Sequence, residues 1–291
     1  MSDDPFVTHR SLLFTVAYEL LGSAADAEDV VQEAWLRWAD VDQSEVRDPR
    51  AYLVRIVTRR ALDRQRTLSR RRETYVGEWL PEPLRTSPDV AEDVELAESV
   101  SIAMLTVLET LRPAERAVFV QSEVFDVPYD EIAEAIGKTP AAVRKIAHRA
   151  REHVAARRPR MRVSRTQQAQ VVARFLAAIR GGALQALLDV LAPDVVAVAD
   201  GGGLAPAIRK PLVGRERVGR AFSALATVAP AAAFSAVGLN GAPGARIDIA
   251  GEVHAAVSLT VANGQITRIY AISNPHKLAR LGEEARLSRA H

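Results

Sequence analysis

Tyr129-Asp-Glu-Ile-Ala-Glu-Ala-Ile-Gly137-Lys-Thr-Pro-Ala-Ala-Val-Arg-Lys-Ile-Ala-His-Arg-Ala150 reads as two helices joined by a tight turn. The first turns Ile132, Ala133 and Ile136 to one face and stops at Gly137, which accepts a left-handed backbone without a Cβ penalty. Thr139 suits an N-cap, and Pro140 suits the first helical position, where a missing N–H breaks no helical bond. In the second helix Val143, Ile146, Ala147 and Ala150 share the inward face, and Ala141, Ala142, Arg144, Lys145, His148 and Arg149 face outward. That is the pattern of a helix-turn-helix. Such a helix fits a DNA major groove: small residues at its start permit close approach, and arginine or lysine reaches guanine edges or phosphates. Helix-turn-helices that only pack against protein share the pattern, and His148 suits a phosphate contact or a plain surface position as well as a base contact.

Charge follows the same division. The chain of 291 residues carries a net charge of only +2, yet Glu19 to Asp48 holds nine acids (Glu19, Asp26, Glu28, Asp29, Glu33, Asp40, Asp42, Glu45, Asp48) against Arg37 and Arg47. From Arg55 to Arg72 there are eight arginines against Asp63, and from Lys138 to Arg162 nine bases against Glu152. Two basic blocks beside an acidic one predict two DNA contacts and one protein contact, although any single block also reads as a solvated helix face.

Helical spacing recurs upstream, in Leu12, Leu13, Val16, Ala17, Leu20 and Leu21, and again in Ala27, Val30, Val31, Ala34, Trp35 and Trp38, with Gly22-Ser23 between them. Asp48-Pro49 opens a third helix with Tyr52, Leu53, Ile56, Val57 and Leu62 inward. Val76 to Ser99 holds three prolines and seven acids against Arg85, which marks a linker and predicts a flexible spacer, but Trp79-Leu80-Pro81-Glu82-Pro83 is too apolar for a purely solvated tether. Arg157-Arg158-Pro159-Arg160 reads as a hinge. Beyond Ser164 come an amphipathic helix (Val171, Val172, Phe175, Leu176, Ile179), a shorter helix ending before Pro193, and apolar runs at Val195–Ala199, Ala245–Ile249, Ala255–Val261 and Ile266–Ile272. Helices followed by strands make an α+β domain, and Asn263-Gly264 is a hairpin signal because both residues tolerate positive φ.

Along its whole length the chain resembles the extracytoplasmic-function sigma factors of bacterial RNA polymerase. Leu13–Leu21 followed by Asp26-Ala-Glu-Asp-Val-Val-Gln-Glu-Ala-Trp-Leu-Arg-Trp38 is similar to their polymerase-binding helix. Leu111-Arg-Pro-Ala-Glu-Arg-Ala-Val-Phe119 with the helix-turn-helix resembles their fourth conserved region. Trp79-Leu80-Pro81-Glu82-Pro83, Asp200-Gly201-Gly202-Gly203 and Asn274-Pro275-His276-Lys277-Leu278, in that order, resemble the subgroup with a fused SnoaL-like domain of the nuclear-transport-factor-2-like fold. The resemblance implies two all-α sigma domains and a C-terminal cone-shaped α+β domain: region 2 at residues 5–75, a linker at 76–100, region 4 at 101–160 and the SnoaL-like domain at 165–291. It implies that Asp26, Glu28, Asp29, Gln32, Glu33, Trp35 and Arg37 dock on the β′ subunit of core RNA polymerase. Arg55, Arg59, Arg60, Arg64 and Arg66 would engage the promoter −10 element, with an unstacked base held near residues 39–49, and Thr139, Ala141, Ala142, Arg144, Lys145, His148 and Arg149 the −35 element. The three motifs would make the interdomain contacts, and no separate anti-sigma factor would be required. Three positions depart from the pattern: Arg59 stands where many members have asparagine, Leu204 where the subgroup has lysine, and His276 where it has aspartate.

On residues alone, Asp200 with three glycines permits close approach of another segment, or is an ordinary loop. Trp79 and Leu80 suit either a groove of the C-terminal domain or a cap on the first helices. A competing reading makes the C-terminal domain an isomerase- or cyclase-type enzyme, or a small-molecule-binding domain, with Asp200, Asp248, Glu252 and His254 available for acid–base work. Nothing in their spacing defines a catalytic set, so no catalysis, cofactor or metal is expected. A conventional repressor or activator would leave the acidic tryptophan-bearing helix unexplained. With no cysteine, disulfides and thiol sensing are excluded. The N-terminus lacks the order of a signal peptide and no apolar run approaches roughly 18 residues, so no membrane contact and a cytoplasmic location are expected.

Overall fold

The computed structural model describes residues 4–72, 74–157 and 163–289. Helix α1 (Pro5–Leu21) starts where the Asp4 side chain accepts the Phe6 N–H, and ends at Gly22 with φ 68°. Ser23 caps α2 (Ala24–Ala39) by accepting the Asp26 N–H at 3.2 Å. After a 3-10 turn at Gln43–Glu45, Asp48 accepts the Ala51 N–H at the head of α3 (Pro49–Arg72). In α2 the spacing sorts Ala27, Val30, Val31, Ala34 and Trp38 inward but not Trp35, which is 46% exposed beside the exposed Leu36. Six apolar positions at this spacing span more arc than two packing neighbours can cover.

The expected flexible spacer is not what the chain builds. Residues after Leu84 form β1 (Arg85–Thr86), α4 (Pro88–Glu92) and α5 (Val94–Ser99). Region 4 follows as α6 (Ile102–Leu108), α7 (Pro113–Glu123), α8 (Tyr129–Ile136) and α9 (Pro140–Arg157). Gly137 has φ 66° and Thr139 accepts the Ala142 N–H at 3.2 Å, so the turn is closed by the two residues its sequence offers. The hinge read after Arg157 lies outside the described residues. Apolar side chains of α1–α3 and α7–α9 merge in one core, and Leu287 from the C-terminal tail joins it.

The C-terminal domain comprises α10 (Arg165–Arg180), α11 (Leu184–Val190), β2 (Leu191–Asp200), β3 (Leu212–Val213), α12 (Arg215–Ser223), α13 (Leu225–Val228), β4 (Ala232–Leu239), β5 (Ala242–Ile249), β6 (Glu252–Ala262), β7 (Gln265–Ile272), α14 (Pro275–Leu278) and β8 (Glu284–Ala285). Among the described residues one sheet runs β3-β2-β7-β6-β5-β4-β1-β8, so the linker strand β1 is part of it, antiparallel to β4 and parallel to β8. The turn at Asn263-Gly264 has φ 51° and 74°, as its sequence predicts. Strand β4 was not anticipated, and a second turn of the same dipeptide, Asn240-Gly241, joins it to β5.

Alternation along the strands gives the sheet two buried faces. Ala197, Val257, Leu259 and Ile269 meet Val172, Phe175, Leu176 and Val218 from the covering helices, which gives the helix-on-sheet α+β layering that the sequence predicts. Ala256, Tyr270 and Ile272 point the other way and meet Leu80 of the linker and Ile102 and Ala103 of α6. The second face is therefore the platform on which linker and region 4 begin.

Candidate functional site

The outward face of α9 stands as the sequence requires. Arg144, Lys145, His148, Arg149 and Ala141 are exposed and Ala142 is half-buried, while Val143, Ile146, Ala147 and Ala150 are buried. The Thr139 hydroxyl is committed to capping the helix, and His148 lies 3.5 Å from Glu152.

The five α3 arginines expected at the −10 element are all occupied within the chain. Arg64 bonds Asp26 at 2.7 Å and Asp29 at 2.9 Å, Arg60 lies 3.7 Å from Glu33, and Arg66 bonds Asp63 at 2.8 Å. Arg55 pairs with Glu134 of region 4. Arg59 donates to the carbonyls of Glu134 at 2.8 Å and Ala135 at 3.1 Å. Those carbonyls end α8, where no further turn supplies an N–H and the helix dipole is negative, so a guanidinium is well placed there. An open groove of about 440 Å³ is lined by the 41–52 segment, α3 and α8. Glu131 and Glu134 of region 4 line the same groove.

On α2, Asp29, Gln32, Glu33, Trp35 and Arg37 are exposed. Asp26 is held by Arg64, and Glu28 bonds Arg10 at 2.7 Å and lies 3.5 Å from Arg280 of the C-terminal domain. Leu36, 54% exposed beside Trp35, is the residue of this surface that the sequence reading missed; its signal was an apolar side chain one step off the inward stripe.

The three interdomain motifs converge on Asp200, which is fully buried at the end of β2. Its Oδ1 accepts from the Tyr75 hydroxyl at 2.6 Å and the Gly202 N–H at 3.0 Å; its Oδ2 accepts from the Leu80 N–H at 2.9 Å and Lys277 Nζ at 2.7 Å. Lys277 also donates to the Leu80 carbonyl and sits 4.0 Å from the Trp79 ring centroid. Asn274 donates to Tyr75 at 2.8 Å and caps α14 through the His276 N–H at 3.0 Å. Burial and the neighbouring Asp200 push the Tyr75 hydroxyl well above its ordinary value, which keeps it a donor. A Cβ on Gly202, whose φ is 60°, would collide with Asn274, and one on Gly201 with the Ala205 carbonyl; Gly203, at φ 73°, faces Val76. Two of the departures from the subgroup pattern, Leu204 and His276, are exposed, and so is Pro275.

Trp79 joins both options left open for it, since it also lies over Gly22, where α1 ends. Pro81, Glu82 and Pro83 are buried, and Leu278 packs with Leu80. The Glu82 carboxylate caps α2 by accepting from Ala24 N–H at 2.8 Å and Ser23 Oγ at 3.2 Å; burial raises its pKa and these bonds oppose the rise. Asn240 was not singled out, yet it is fully buried and ties four segments: its Nδ2 donates to the Tyr18 hydroxyl and the Val100 carbonyl, its Oδ1 accepts the Leu84 N–H, and its N–H meets the Leu84 carbonyl.

The groups of the enzyme reading are not assembled. Asp200 is consumed in the junction, Asp248 pairs with Arg246 at 2.7 Å, and Glu252 and His254 are exposed. Among the described residues no cluster fit to hold a metal occurs, and no helix is long and apolar enough to cross a membrane.

Comparison with known proteins follows the same division. The sigma-70 region 2 family profile matches residues 6–71 and the sigma-70 region 4 profile residues 101–154. The ECF RNA polymerase sigma factor SigJ of Mycobacterium tuberculosis is 38% identical over 95% of this chain and 93% of its own. The probable ECF RNA polymerase sigma factor SigI of the same species is 33% identical over 95% and 94%. The crystal structure of the M. tuberculosis SigJ protein superposes with a TM-score of 0.76 at 36% identity, covering 94% of this chain and 97% of that one. Two sigma modules on a shared core, fused to a cone-shaped domain and alike from end to end in sequence and structure, place the chain in the extracytoplasmic-function sigma factors of RNA polymerase.

Proposed function

We propose that this sigma factor recruits core RNA polymerase through the exposed face of α2, reads the −35 element with α9 and engages the −10 element with α3, and that its C-terminal domain holds it closed in cis. The observation that carries the reading is the pairing of Arg55 and Arg59 with the end of α8. Promoter elements roughly 25 base pairs apart lie about 85 Å apart at 3.4 Å per base pair. Helices α3 and α8 touch, so the two modules must part before they straddle such a promoter. In the closed chain Glu131 and Glu134 face the groove beside the 41–52 segment, where phosphates would meet negative charge.

The polymerase contact is assigned to Asp29, Gln32, Glu33, Trp35, Leu36 and Arg37, and the −35 contact to Ala141, Ala142, Arg144, Lys145, His148 and Arg149. Control in cis needs no separate anti-sigma factor, because linker and region 4 already rest on the sheet. Run-off transcription with core polymerase tests the reading. Replacing Arg144 and Lys145 by alanine abolishes specific transcripts while leaving polymerase binding intact, and Glu134→Ala raises output above the parent. Unchanged output in the first variant sinks the promoter assignment, and unchanged output in the second sinks the closed state.

A further inference from the structure

Away from both DNA-binding faces, a groove of about 520 Å³ lies where both sigma modules, the linker and the C-terminal tail meet. One wall is apolar, formed by Met104, Leu108, Phe119, Val124 and Val154. Its polar lining is mostly acidic: Glu95 and Glu98 come from α5, Glu123 from the end of α7, and Asp126 from the turn beyond. The two cations that line it are already spoken for. Arg151 bonds Glu123 at 3.1 Å, and Arg289 bonds Asp93 at 3.1 Å and pairs with Glu95.

Glu19 of α1 also lines this groove, and it is fully buried. Its Oε1 accepts from Ser99 Oγ at 2.7 Å, but its Oε2 has no hydrogen-bond partner among the described residues. Arg116, the nearby cation, bonds the Glu19 main-chain carbonyl at 2.8 Å and Glu109, and is not part of the groove lining. A buried carboxyl oxygen left unpaired costs about 1–3 kcal/mol, so it favours any donor that can reach it. The groove is within the roughly 300–1,000 Å³ range of small-ligand sites. Its excess of acids attracts a cation, and its methionine- and phenylalanine-bearing wall accepts an irregular apolar body.

We propose that this groove binds a small organic amine, with the ammonium held by the unpaired Glu19 oxygen and an apolar body against Met104, Leu108 and Phe119. The ligand touches α1 on one side and α6 and α7 on the other, so its binding favours the closed chain. The site works without DNA or polymerase, and its test is independent of the promoter assignment.

The test is calorimetric titration of the full-length protein with 2-phenylethylamine and with its neutral analogue 2-phenylethanol. The amine binds saturably and at least tenfold more tightly than the alcohol, and raises the melting temperature. Glu19→Gln, which keeps the shape but has no proton to give up and so cannot become the ammonium's counter-ion, weakens the amine at least tenfold and leaves the alcohol unchanged. Ala155→Trp, placed at an exposed lining position of α9, obstructs the groove without touching the core and weakens both. Equal binding of amine and alcohol, wild-type binding by Glu19→Gln, or no saturation by either compound overturns the proposal and leaves a groove filled by water.

Discussion

The α3–α8 contact and the knot around Asp200 each join one module to another, but they are made of different materials. At the first, Arg55 and Glu134 keep 29% and 60% of their side chains in water. At the second, Lys277 and Asp200 keep 11% and none. Exposed ion pairs contribute roughly 0–1 kcal/mol, whereas removing one partner of a buried pair costs about 3–5 kcal/mol because the other charge is stranded. Of the two ion pairs the exposed one is the cheaper to break, as the proposed opening requires. Behind the exposed pair lies a firmer strip, in which Gln121 meets Thr58 and Arg116 meets Glu19, and it must part as well.

The strongest challenge to this contrast is Asp200→Ala. Urea unfolding is expected to show a loss of about 3–5 kcal/mol, and a loss under about 1 kcal/mol would put the two contacts on a par. Gly202→Ala comes next, with about 1–3 kcal/mol expected from a left-handed backbone position and the collision with Asn274; a stability equal to the parent would mean the loop can relax.

A third test uses acidity. Burial lifts the Glu19 carboxyl from the ordinary carboxylate range to about 8, against smaller opposing effects of Ser99 and Arg116. The folded chain thus binds a proton that the unfolded chain releases, so this contribution is complete below the ordinary carboxylate pKa and is lost as pH rises toward 8. The slope is at most about 1.4 kcal/mol per pH unit, and Glu19→Gln should flatten it in unfolding measurements across pH 5 to 8. Smallest in stability is Glu134→Ala, at less than about 1 kcal/mol. It sharpens the comparison because promoter affinity should rise while the melting temperature hardly moves.

Much of the helical architecture was legible because its signals are local. Gly137, Thr139 and Pro140 each do at the turn what their chemistry favours, and the inward stripes of α1 and α10 match the buried residues. The sheet was harder to read. Ala232–Leu239 is mostly small residues without clear alternation, and Pro243 after Asn240-Gly241 interrupts the second strand of that hairpin, so the same dipeptide that marked Asn263-Gly264 passed unnoticed. Two-residue strands such as β1 and β8 exist only through their partners. Of the junction, the three motifs came from family resemblance, and Tyr75 and Asn240 were invisible because their partners lie more than a hundred residues away. Glu19 was counted in an acidic block; a tally of charge along the chain does not say which side of a helix a carboxylate occupies.

Leu287 sits in a core whose other buried members all lie at or before Val154. On the ribosome those residues emerge first, and more than two hundred residues separate the end of α3 from Leu287. At roughly 5–20 residues per second, about 10–40 s pass between the two events. During that interval the nascent helices stand without Leu287, and the Leu80 face has no sheet to rest on. Synthesis of the segment that carries Leu287 thus supplies a late piece of a core whose other members were made long before.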